Sequence, residues 1–118
     1  MQTGNNDMHL KNFSLMHTDK GVLFSPTYDL LNVNLIYPDD KEDLALTLGG
    51  GKRKIKRSDF DQFASSLELS EIVRDNIYKG FSKQLNKVHS LIESSFLTDV
   101  YKERYIQIYE SKLKQIGI

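Results

Sequence analysis

The sequence predicts an α+β fold, mainly α, in which a small β-hairpin portion precedes a three-helix C-terminal half. Three observations carry this prediction. The first third holds short apolar runs separated by turn residues; from Ser58 onward the apolar spacing changes to three and four; and no repeat, low-complexity tract or linker divides the chain. A length of 118 residues suits one domain, or one lobe of a larger one. We therefore expect a single unit over residues 1–118, with a loop-and-β portion over 4–57 and a helical portion over 58–118.

The elements follow in order. Phe13-Ser14-Leu15-Met16 and Val22-Leu23-Phe24 flank a polar stretch ending in Gly21, the pattern of two strands joined by a tight turn. Pro26 cannot donate to a sheet and closes the second strand. Leu44-Ala45-Leu46-Thr47-Leu48, stopped by Gly49-Gly50-Gly51, reads as a third strand with a flexible turn. Ser58 is placed to cap a short helix carrying Phe60, Phe63, Ala64 and Leu67, and Asp59 and Asp61 suit the positive end of its dipole. Ser70 caps a longer helix whose stripe runs Ile77, Phe81, Leu85, Val88, Ile92 and Phe96. Thr98 opens the last helix, with Tyr101, Tyr105, Ile108, Tyr109, Leu113 and Ile116 on one side and Gly117 just past its end.

Composition narrows the function classes. Sixteen basic and sixteen acidic residues balance to zero, which argues against a binder that presents one charge sign over its whole surface. Without cysteine there is no disulfide framework, thiol nucleophile or cysteine zinc site. Met1 to Lys11 has no apolar core of a secretion signal, and no stretch approaches about 18 apolar residues. A cytoplasmic protein without membrane association is the expectation.

The chemistry concentrates in Gly4-Asn5-Asn6-Asp7-Met8-His9-Leu10-Lys11-Asn12-Phe13-Ser14, a loop dense in polar side chains directly before a strand. Asp7 and Asn12 stand five apart, the separation of the catalytic Asp and metal-binding Asn in protein kinases, and Asp29 follows the hairpin. Phosphoryl transfer needs a carboxylate to accept the proton of the attacking hydroxyl, and hard oxygen ligands for magnesium. Taken alone, the Asp-Asn pair also fits an ordinary turn. His9 also fits a loop histidine bonded to backbone, Lys11 a solvated side chain, and Asp29 a turn or cap. His9, His17 and His89 have no zinc-site spacing.

The strings N-N-D-x-H-x-K-N-F-S, S-P-x-Y-D-L and L-A-L-T-L-G-G, over roughly residues 4 to 50, resemble the C-terminal domain of HipA-like toxins. These are serine/threonine kinases of bacterial toxin-antitoxin systems. The order D-x-H-x-x-N is also similar to the catalytic loop of phosphoinositide-type lipid kinases. The resemblance implies part of a protein-kinase-like C-lobe, with Asp7 as catalytic aspartate and His9 and Lys11 as supporting residues of the catalytic loop. It makes Asn12 and Asp29 the magnesium and cofactor ligands. Asn5 stands where protein kinases carry a His, and Leu30-Leu31 follows Asp29 in place of Phe-Gly; both suit the HipA-like pattern.

Only three residues precede Gly4, so the glycine-rich loop, the strand lysine and the adenine hinge are expected outside this chain. Mg²⁺ and ATP are thus expected in the complete kinase, with neither bound tightly by this chain alone. The implied partners are an N-terminal kinase lobe, in the same or a separate chain, and a DNA-binding antitoxin; an uncovered lobe-facing surface would also favour homo-oligomers. The alternative is a non-catalytic remnant of a kinase that binds proteins. Lys52-Arg53-Lys54-Ile55-Lys56-Arg57 places five positive charges in six residues, but contains no stacking aromatic and no phosphate-loop spacing. A solvated turn accounts for it more simply than a nucleic-acid contact.

Overall fold

The computed structural model describes residues 5–28 and 30–118. Half the chain is helical and a two-stranded antiparallel hairpin precedes the main helices, so the mainly α, α+β class holds. Strands β1 (Leu15–Thr18) and β2 (Gly21–Phe24) pair in the register Leu15 with Phe24 through Thr18 with Gly21. Asp19-Lys20 makes the turn, which Thr18 Oγ1 secures by accepting from Lys20 N and donating to Gly21 O. Gly21 sits at φ 107°, a conformation that glycine takes without penalty. Every residue of both strands is exposed.

The helices supply the core. Helix α1 (Val33–Ile36) is a single turn, capped by the Asn32 side chain accepting from Leu35 N at 3.0 Å. Four helices follow: α2 (Arg57–Ser66), α3 (Glu71–Lys83), α4 (Leu85–Glu93) and α5 (Asp99–Gln115). Helix α5 packs against both α1 and α4, burying Tyr109 and Leu113 together with Leu35, Ile92 and, past its end, Ile116. Its C-terminus closes as expected. Gly117 adopts φ 72°, its N–H donates to Lys114 O, and Ile118 N–H reaches back to Leu113 O, satisfying two carbonyls the helix leaves open.

Several expectations are corrected. Residues 44–48 form no strand; Leu48 and Gly51 make one isolated bridge around Gly49-Gly50, whose φ values of 58° and 82° give a turn of the primed type. Asp43 N and Leu44 N both donate to Lys52 O, so the segment folds back on itself. The helix drawn through Ile77 to Phe96 is two. At Gln84 the bonding tightens, Gln84 N donating to Phe81 O, and the new direction carries Ile92 of α4 into the core with α5. Helix α4 ends at Glu93, where the Ser94 and Ser95 hydroxyls bond to Leu91 O and Ile92 O, and Phe96 beyond it is fully exposed. Lys56, not Ser58, is the N-cap of α2, with its N–H donating to Asp59 Oδ2 at 2.7 Å. Thr98 does occupy the cap position of α5, without a side-chain cap bond. Tyr101 lies at the surface, unlike the rest of its expected stripe.

Candidate active site

Asn5 to Phe13 holds its shape largely through its own hydrogen bonds. Asp7 N donates to Asn5 Oδ1 at 3.1 Å, His9 N to Asp7 O, and Asn12 N to His9 O, the last closing a 3-10 turn over Leu10–Asn12. Asn12 is buried, and its Nδ2 donates to Asp7 O at 2.8 Å across the five-residue spacing seen in the sequence. That bond anchors the carboxamide by its nitrogen on the Asp7 carbonyl.

The structure brings Asp7, His9 and Asn12 together. The Asp7 carboxylate is half exposed, and His9 Nε2 lies 3.1 Å from its Oδ1. Lys11 is the middle residue of the 3-10 turn, exposed to solvent, while its carbonyl accepts from Tyr28 OH at 3.2 Å. That bond ties the loop to the segment after the hairpin. Ser25 N also donates to Ser14 O, and the two serine hydroxyls are 2.9 Å apart, so the hairpin returns the chain close to the loop. Asp29 lies outside the described residues, but its neighbour Tyr28 is held against Lys11. His9, Leu10, Lys11 and Leu46 line an open hollow of about 510 Å³.

Sequence reasoning missed the groups that hold this loop to the helices. Asn6 is buried and its Nδ2 donates to Glu42 O at 2.9 Å. The next residue, Asp43, is 5% exposed. Its carboxylate accepts from Ile55 N at 3.0 Å, from Gln115 Nε2 at 2.9 Å and from Lys112 Nζ; Gln115 Nε2 also donates to Ile55 O at 2.8 Å. Burial is the largest single influence on this carboxyl and raises its pKa. The hydrogen bonds from Lys112, Ile55 N–H and Gln115, with the charge of Lys112, together outweigh it and hold the group below its ordinary 3.8. An acidic pair opening the apolar run Leu44 to Leu48 was the only visible signal.

The basic run is divided between roles. Arg57 stacks 4.1 Å from the centre of the Tyr78 ring and pairs with Asp61 and Asp75, joining α2 to α3, and Lys52 lies 3.8 Å from Glu42. Arg53, Lys54 and Lys56 remain exposed, as a solvated turn would have them.

A compact polar loop ahead of a hairpin, with Asp and Asn locked five residues apart, defines the chain's class. The chain belongs to the family of the HipA-like C-terminal domain, whose model matches residues 1–91. It is similar to two proteins of Sinorhizobium fredii. "Putative kinase Y4mE" is 44% identical over 46 residues, covering 39% of this chain and 11% of that protein. "Putative kinase Y4dM" is 37% identical over 71 residues, covering 58% and 17%. The chain thus spans less than a fifth of the length of either relative. Among the described residues no helix is long and apolar enough to cross a membrane.

Proposed function

We propose that this chain is the catalytic subdomain of a HipA-like serine/threonine protein kinase, active only when joined to a nucleotide-binding lobe. The observation that supports this best is the pairing of an exposed Asp7 carboxylate with a buried Asn12 whose amide is anchored on the Asp7 carbonyl. In this reading Asp7 accepts the proton of a protein hydroxyl as its oxygen bonds to the terminal phosphorus of ATP and the bond to ADP breaks. His9, 3.1 Å away, orients the carboxylate. Lys11, in solvent beside the hollow, offers a positive charge to phosphate. Asn12 and Asp29 would hold magnesium, which together with ATP supplies the transferable group and neutralises its charge. A cytoplasmic location and a DNA-binding antitoxin partner belong to the same proposal.

Positioning is nearly the whole of phosphoryl-transfer catalysis. No glycine-rich phosphate loop stands in these 118 residues, and the proposal assigns it to the much greater length of the relatives. The test is phosphate transfer from labelled ATP to a serine/threonine protein substrate. The chain alone should transfer none, whereas the chain joined to a nucleotide lobe, fused or in trans, should turn over. Asp7→Ala and Asp29→Ala should each abolish turnover without lowering thermal stability. Unchanged turnover in Asp7→Ala overturns the assignment, and a joined protein that binds substrate protein but never transfers phosphate leaves the protein-binding remnant as the function.

A further inference from the structure

Asn6 makes a long-range side-chain hydrogen bond out of the loop, reaching 36 residues along the chain to the carbonyl of Glu42 in the segment between α1 and α2. The bonds within the loop are all local, and four-residue turns of this kind open readily unless something larger holds them. What holds Glu42 therefore helps to hold the loop, beside the Tyr28 hydroxyl on the Lys11 carbonyl. Glu42 adjoins Asp43, whose backbone N–H donates to Lys52 O at 2.7 Å and whose carboxylate is gripped from three directions by Ile55, Lys112 and Gln115. Lys112 and Gln115 stand 69 and 72 residues away in sequence, on the last turn of α5.

We propose that Asp43, Lys112 and Gln115 form the mounting of the catalytic loop, positioning residues that act on Asp7 and Asn12 through the Glu42 carbonyl and Asn6. Stability alone does not call for this arrangement, because apolar residues of similar size replace a buried ion pair at little or no cost. What the charged cluster adds is direction: a carboxylate held at both oxygens fixes the backbone on its amino side, and with it the Glu42 carbonyl. The loop's placement is thereby set by α5, an element that contributes no group to the chemistry. The word catalytic rests on the function proposed above; the mounting does not.

The test uses hydrogen exchange on the 118-residue chain, read separately over residues 5–13 and over the hairpin at 15–24. Asp7, His9, Asn12 and Phe13 carry the bonded amides of the loop. Lys112→Met should raise exchange of 5–13 by about threefold or more while leaving the hairpin unchanged, because the hairpin shares no bond with the cluster. Lys112→Arg, which keeps a charged donor, should restore protection. Asn6→Asp, which removes the donor to Glu42 but touches nothing at the cluster, should give the same increase, and Lys112→Met added to it should give no more. In the joined kinase Lys112→Met should lower kcat about tenfold with KM for ATP unchanged. Equal loosening of loop and hairpin, additive effects of the two substitutions, or no change in the loop would each overturn the proposal. An inert joined kinase defeats the functional reading only, since the exchange result still decides the mounting. If Lys112→Met does not fold, Asn6→Asp with Gln115→Met carries the same comparison.

Discussion

Removing the Asp43 carboxylate has a cost that can be worked from its surroundings. Asp43→Ala leaves the Lys112 ammonium, on a side chain only 14% exposed, without its counter-charge. It also leaves Ile55 N–H without an acceptor, while Gln115 keeps the Ile55 carbonyl. Breaking one side of a buried pair costs about 3–5 kcal/mol. The flexible lysine stem can turn its head toward water, which favours the lower end, about 3 kcal/mol. In a chain of this length each kcal/mol moves the melting temperature by about 4 °C, so Tm should fall about 12 °C, followed by circular dichroism at 222 nm. Replacing both partners, Asp43→Leu with Lys112→Leu, should recover most of the loss, because no charge is then stranded. The carboxyl's pKa lies below its unfolded value of 3.8, so its contribution is fully present above that pH and is lost as pH falls through the folded value. Asp43→Asn should therefore flatten the acid limb of the stability curve below about pH 4. A Tm change under about 3 °C for Asp43→Ala, or an unaltered acid limb in Asp43→Asn, would refute the account of the cluster as a charged, dehydrated anchor.

Other expectations follow from burial and backbone. Gly50→Ala should cost about 1–2 kcal/mol in urea unfolding, all of it from backbone conformation, since φ is 82° and a Cβ there meets nothing within 4 Å; a neutral result would deny the primed turn. Ile116→Ala, at 2% exposure, should cost about 2–5 kcal/mol, while Phe96→Ala, although the larger truncation, should stay within about 0.5 kcal/mol. Leu15, Val22 and Phe24 share one uncovered face of the hairpin, so mass by light scattering should rise with concentration, and Leu15→Lys with Phe24→Lys should abolish the rise. A wild-type chain that stays monomeric at high concentration would count against that.

What the sequence disclosed, and what it hid, divides by distance along the chain. The hairpin was visible because its strands are neighbours in sequence, although His17, Thr18 and Gly21, read as turn, belong to the strands; the Asp7–Asn12 relation was visible because the bond that locks it spans five. Ser70, Thr98 and Gly117 were readable as helix ends because capping is a matter of neighbouring residues. The third strand failed for the opposite reason. Leu44 to Leu48 has the composition of a strand, but a strand requires a partner, and among the described residues this one pairs through the single bridge of Leu48 to Gly51. The unbroken spacing from Ile77 to Phe96 likewise fitted one helix, because periodicity does not register a single tightened turn at Gln84 that redirects the axis. Lys112 looked like part of a basic helix end suited to the dipole; its bond to Asp43 is legible only once the chain is folded.

The same division separates two properties of the candidate site that respond to different substitutions. The loop's shape comes from Asn5, Asp7, His9 and Asn12, all within eight residues, and would survive wherever the loop were placed. Its location comes from bonds that leave the loop, at Asn6 and at the Lys11 carbonyl, and from a cluster whose members lie far apart in the chain. Changes in the first set should disturb which atoms face the substrate; changes in the second should leave those atoms correctly arranged but displaced. The phosphoryl transfer proposed for the loop would punish displacement severely, since the attacking and leaving oxygens must lie nearly in line. A sequence pattern confined to the loop therefore describes the chemistry that the loop can offer, whereas whether it is delivered in line depends on residues such as Asp43 and Gln115 that no local motif contains.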